Sequence, residues 1–140
     1  MSTVKRFEDL EVWKLSRELN KKIGDLIDGK HFKNNFRIIN QIEGSSGSIM
    51  DNIAEGFERG TKAEFIQFLG FSKASCGELR SQLYRALDRN YIKQNEFDEF
   101  FVLASKISAM NFKLIQYLQK TRFNGLRKPS NLLTIKLLNR

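Results

Sequence analysis

The only proline in this 140-residue chain is Pro129. Proline has no amide hydrogen to donate, and its ring collides with the preceding helical turn. The body of the chain therefore lacks the residue that most reliably interrupts a helix. Apolar residues ahead of Pro129 recur at steps of three and four, and no alternating strand pattern competes. These features predict an all-α fold.

Four segments carry the period. The first runs from about residue 8 to 28, with Leu10, Trp13, Leu15, Leu19, Ile23 and Leu26 near one side, and Gly29-Lys30 as its stop. The second runs from about residue 33 to 58. Gly60-Thr61 then breaks the chain, and Thr61 is placed to cap the next helix with Glu64 at its third position. The third reaches about residue 91 through Phe65, Phe68, Leu69, Leu79, Leu83 and Leu87. The fourth spans about residues 96 to 121, with Phe97, Phe101, Ala104, Ile107, Leu114 and Leu118. Short links between long helices favour antiparallel neighbours, hence an up-down four-helix bundle over residues 1–122. Residues 123–140 form a basic-apolar tail with Leu132, Leu133, Ile135, Leu137 and Leu138. Two readings of this tail stay open: it docks on the bundle or a second subunit, or it takes no fixed structure.

The second helix carries two stripes. Ile42, Ile49, Ile53 and Phe57 make an apolar face. Gln41, Ser45, Ser48, Asn52, Glu55 and Arg59 make a polar one beside it, and Gly44 to Ser48 is a run of glycine and serine. Glycine inside a helix costs about 1 kcal/mol relative to alanine, so a close backbone neighbour is expected there. The third helix has its own polar stripe of Ser75, Glu78, Gln82, Arg85 and Arg89. Folding the two helices about Gly60 places Arg37 and Gln41 near Glu78 and Gln82, and Ser45 near Ser75. The expected result is a polar network of Arg37, Gln41, Ser45, Asn52, Glu55, Ser75 and Glu78, with Glu78 paired to Arg37 or Gln41. The competing reading is two stripes that face solvent separately.

Charge is unevenly spread. The chain carries 24 Lys+Arg against 16 Asp+Glu, a net charge of +8. Residues 100–140 hold eight of the cations and no acid, so the entire excess lies there. Such asymmetry points to a polyanion, RNA or DNA, as partner. Lys106, Lys113 and Lys120 fall seven residues apart on one helix face, and Arg122, Arg127 and Lys128 continue the basic stretch. These six are the candidate phosphate contacts, which position a nucleic acid without reading bases. The alternative is a protein-interaction module whose charge serves only solubility.

Apolar residues also wrap nearly the whole circumference of two helices. Phe65, Ile66, Phe68, Leu69 and Phe71 do so on the third, and Phe112, Leu114, Ile115, Tyr117 and Leu118 on the fourth. A bundle buries one stripe per helix, so Phe65, Ile66, Phe68, Phe71, Phe112, Ile115 and Tyr117 are the candidate oligomer interface.

Chemistry is sparse. His31 stands alone in a loop, and Cys76 lies mid-helix as a small core residue. Glu55 and Glu58 lack the histidine companions of di-metal bundles. No glycine-rich phosphate loop follows a strand. These features predict no catalytic residue, no metal and no cofactor. The lone cysteine, the absence of an apolar leader and the lack of a membrane-length apolar run predict a cytoplasmic protein without a membrane partner.

Several separated motifs keep their order along the chain. They are Phe7-Glu8-Asp9-Leu10-Glu11-Val12-Trp13, then Gln41-Ile42, Ser48-Ile49 and Asn52-Ile53-Ala54-Glu55-Gly56, then Phe65 with Phe68-Leu69 and Ser75 with Glu78-Leu79. Together, over about residues 5 to 122, they resemble the bacterial four-helix bundle family of 23S rRNA intervening-sequence proteins. That family looks related to the accessory variability determinants of diversity-generating retroelements, basic pentamers that bind nucleic acid and a reverse transcriptase. The resemblance implies a homopentameric, non-enzymatic, nucleic-acid-associated protein. One departure stands out. Relatives often have a proline after the phenylalanine that opens helix two and an arginine-rich segment after the glutamine. Here Lys33 follows Phe32, and Gln41-Ile42 leads into Glu43-Gly44-Ser45-Ser46. Positive charge has moved from helix two to the fourth helix and tail.

Overall fold

The protein is described here from a computed structural model covering residues 4–29, 32 and 34–121. Four helices follow a 3-10 turn at Phe7–Asp9: α1 Glu11–Asp28, α2 Phe36–Arg59, α3 Lys62–Asp88 and α4 Gln94–Lys120. They run up and down as an antiparallel bundle, as their spacing predicts. The most extensive packing is α2 on α3 and α3 on α4. Helix α1 packs mainly on α2 and touches α4 less.

The boundaries have local causes. Leu10 is extended, so the opening turn closes before α1 starts, three residues later than expected. Asn34 sits in the left-handed region at φ 63°, which keeps α2 from starting at residue 33. Asn35 then caps α2 by accepting the Ile38 amide at 3.3 Å, and its own amide donates to the Tyr91 hydroxyl at 3.2 Å. At the other end of α2, Gly60 has φ 85°, a conformation glycine enters without a Cβ clash. Thr61 caps α3 as predicted, accepting the Glu64 amide at 3.3 Å while its hydroxyl donates to Glu64 Oε1 at 2.9 Å. Glu96 accepts the Lys93 amide at 2.8 Å and closes the start of α4.

The core runs the length of the bundle. Leu19, Ile23, Ile42, Ile49, Ile53, Leu69, Leu79, Leu83, Ile107 and Leu118 are all fully buried. Each such side chain contributes about 1.5–3 kcal/mol of transfer free energy. Close backbone approach occurs at Gly56. A Cβ there would lie 2.6 Å from the Cβ of Phe68, so α2 and α3 meet only because position 56 has no side chain. The expectation of close approach at Gly44 and Gly47 is corrected. A Cβ on Gly44 meets nothing within 4 Å, and one on Gly47 meets only Asn20 Nδ2 at 3.9 Å. That glycine-serine run serves α1 differently: Asn20 donates to Ser46 Oγ at 3.1 Å.

No described helix is long and apolar enough to cross a membrane.

Candidate nucleic-acid interface

The lysine column lies where its spacing puts it. Lys106, Lys113 and Lys120 are exposed along α4, and successive members stand about 10 Å apart at a helical rise of about 1.5 Å per residue. Among the described residues none of the three forms an ion pair. Their surroundings differ. Lys106 borders a cleft of about 220 Å³ between α1 and α4, lined also by Glu11, Lys14, Leu15, Glu18 and Met110. The carboxylates of α1 soften the field at that end. Lys113 and Lys120 stand further along α4. Arg122, Arg127 and Lys128 lie outside the described residues.

The opposite end of α4 is acidic, with Glu96, Asp98 and Glu99 in its first turns. Glu99 accepts from Lys22 of α1 at 3.0 Å and holds the Lys22 pKa above its usual value. Helix α4 thus carries carboxylates at its positive dipole end and lysines toward its negative end.

The polar network exists in a different form. Glu78 is not paired with Arg37 or Gln41; it accepts from Gln82 of its own helix at 3.4 Å. Gln41 instead accepts from Arg85 at 2.7 Å, and Ser45 donates to Gln82 Oε1 at 2.6 Å. Both α3 partners lie further along that helix than the fold-back about Gly60 predicts. The cause is the lean of helical side chains toward their own N-terminus. In this antiparallel pair α2 side chains lean away from the turn, and α3 side chains lean back toward it. Where the acceptor is backbone the lean of one partner drops out, and Ser72 bonds the Ile49 carbonyl at 2.8 Å, close to the simple fold-back register.

Other members of the predicted set stay on their own helix. Asn52 donates to the carbonyl and hydroxyl of Ser48 at 2.8 and 2.9 Å. Glu55 pairs with Arg59 at 2.7 Å and raises its pKa, and Arg59 also reaches Glu64 at 3.5 Å. Ser75 is half-buried, and Arg37 is exposed. Neither side chain hydrogen-bonds across the pair.

The buried polar centre lies elsewhere. Asn111 of α4, fully buried, donates to Ser72 Oγ at 3.0 Å and links α2, α3 and α4 through that hydroxyl. Asn111 shares the phase of Ile107, Leu114 and Leu118, so its place in an otherwise apolar stripe was the available signal.

The apolar set divides in the same way. Phe65 is corrected to core: it is fully buried and meets Phe57 edge-on at 5.8 Å between ring centroids. Ile66, Ile115 and Tyr117 are partly buried against the core, and burial raises the Tyr117 pKa. Phe68 lies beneath the Arg59 guanidinium at 5.1 Å. Phe71 and Phe112 remain open, at 47% and 49% exposure. Sequence reasoning missed Phe36, Tyr84 and Val102, which are exposed too. Tyr84 packs on Phe97 and Phe101 at 4.8 and 5.6 Å, and Arg80 stands 5.8 Å over Phe101.

Cys76 is fully buried, and desolvation pushes its thiol up to about 12. Among the described residues no three His, Cys, Asp or Glu side chains cluster to hold a metal. His31 lies outside the described residues.

A solved structure resembles this architecture: a protein of unknown function from the S23 ribosomal protein family of Bacteroides thetaiotaomicron. It superposes with a TM-score of 0.71 at 23% identity, over 75% of this chain and 98% of that one. No curated protein matches this chain. Residues 8–113 match the family described as 23S rRNA-intervening sequence protein. That match spans most of the chain and places it in the family: it is a member of the 23S rRNA-intervening sequence proteins.

Proposed function

We propose that this protein is a non-enzymatic binder of RNA or DNA that acts as a homo-oligomer in the cytoplasm. The observation that carries the reading is the exposed column Lys106, Lys113 and Lys120 on a helix stretch without a single carboxylate after Glu99. Each lysine neutralises a phosphate, and the basic residues that follow Thr121 extend the run. The family's description, with its ribosomal RNA setting, supports an RNA partner. A binding role rather than catalysis is supported by two of the groups weighed for chemistry: Cys76 is buried, which holds its thiol protonated, and Glu55 is engaged by Arg59.

Self-association uses the α2–α3 flank. There Phe71 is exposed, and Phe68 meets it edge-on at 5.4 Å between centroids. A ring of five copies, as the family resemblance implies, repeats the lysine column around the assembly and widens the basic surface.

The test is binding of structured RNA to the full chain across a salt series. Affinity falls steeply with salt, and the logarithmic slope reports the number of phosphates neutralised. No binding at low salt by a folded oligomer overturns the reading and favours a protein partner such as a reverse transcriptase. A monomer by light scattering at micromolar concentration overturns the ring.

A further inference from the structure

We propose that the α3–α4 flank is a platform for single-stranded nucleic acid, on which unpaired bases stack at Phe112 and Tyr84. This rests on the nucleic-acid reading above and names the form of ligand. Two acid-free stretches lie side by side here. Residues 65–77 of α3 and 100–120 of α4 contain no aspartate or glutamate. Their register is fixed by Asn111 on Ser72 at 3.0 Å and by Lys62 on the Thr121 carbonyl at 2.8 Å.

The flank can be traced by phase. Arg80 and Phe101 meet across the α3–α4 seam. Lys73 precedes Arg80 by seven residues, and Phe112 follows Phe101 by eleven, each a near-whole number of turns at about 100° per residue. Lys73 and Phe112 therefore occupy the flank that Arg80 and Phe101 occupy. Phe112 is 49% exposed and Tyr84 51%. The surface between is low: a Cβ on Gly70 meets nothing within 4 Å, and one on Gly77 meets only Arg80 Nη2 at 3.6 Å.

Rings interleaved with cations suit a single strand. Every unpaired base has a π-face to stack, while its phosphates need only charge. A duplex keeps its bases stacked on one another and offers exposed rings nothing. A second copy of the same flank is disfavoured because it sets Lys73 and Arg80 against their own likenesses.

The experiment measures fluorescence anisotropy of the full chain with a labelled oligonucleotide of about 12 nucleotides, single-stranded and as its duplex, across a salt series. The single strand binds tighter than the duplex. Phe112→Ala weakens single-strand binding about tenfold, the scale of a lost base–aromatic stack, and leaves the salt slope unchanged. Phe112→Tyr restores it. Lys113→Gln lowers the slope by about 0.7 and shows no preference for strand form. Equal binding of both forms with a silent Phe112→Ala overturns this inference and leaves phosphate binding standing. No binding of either form at low salt overturns the proposed function itself. A change of assembly size in Phe112→Ala, seen by light scattering, makes the flank a subunit contact and also overturns the inference.

Discussion

Single residues set the tightest constraints in this bundle, and Gly56 is the clearest. The Phe68 Cβ stands 2.6 Å from where an alanine methyl would go. Gly56→Ala therefore forces α2 and α3 apart and lowers the unfolding free energy by about 1–3 kcal/mol in urea titration, the usual range for overpacking. Gly44→Ala has the opposite sign. Its site is open helix surface, so unfolding free energy rises by about 1 kcal/mol. The sequence shows nine glycines and no way to rank these two, because the difference lies in what the neighbouring helix places opposite. Cys76 gives a pH-dependent counterpart. Its folded thiol titrates near 12 against an ordinary 9.0, so between those values the unfolded chain loses a proton that the folded chain keeps. Stability falls as pH rises from about 9, and Cys76→Ala removes that part of the alkaline loss in pH-dependent thermal unfolding. The same burial leaves the native thiol unreactive toward maleimide until the protein unfolds.

At the scale of helices, patterning was readable and pairing was not. Four helices, their order and the Thr61 cap follow from period and turn chemistry. The partner of each polar side chain does not, since side-chain lean shifts contacts along the helix relative to the backbone register. Ser45 meets Gln82, and Gln41 meets Arg85. A double-mutant cycle on Ser45→Ala and Gln82→Ala gives a coupling of about 1 kcal/mol. The same cycle on Gln41 and Glu78 gives none. The wide apolar arc of α3 has an ordinary cause as well. That helix packs extensively on both α2 and α4, so Phe65, Leu69 and Leu79 disappear into the monomer. An arc that a lone stripe cannot explain is explained here by two neighbours, which leaves Phe71 rather than Phe65 for a partner.

For the whole molecule, attachment is uneven. Helix α1 rests mainly on α2, with a cleft where it meets α4, while α2, α3 and α4 are cross-linked by Ser72 and Asn111. Amides of α1 exchange with deuterium at least tenfold faster than those of α2 and α3, because sparse packing lowers the free energy of local opening. The lysine column was legible from spacing alone, since it needs only helical phase. The aromatic flank beside it was not, because exposure of Tyr84 and Phe112 depends on how far two helices shield each other. The Lys62 ammonium grips the carbonyl of Thr121, so α4 finishes beside the Gly60 turn. The remaining 19 residues consequently depart from a fixed quay at one pole of the cylinder. Thr121 is thereby held at the pole of the bundle that carries the Gly60 turn, and in the proposed ring of parallel copies every Thr121 would stand on one rim.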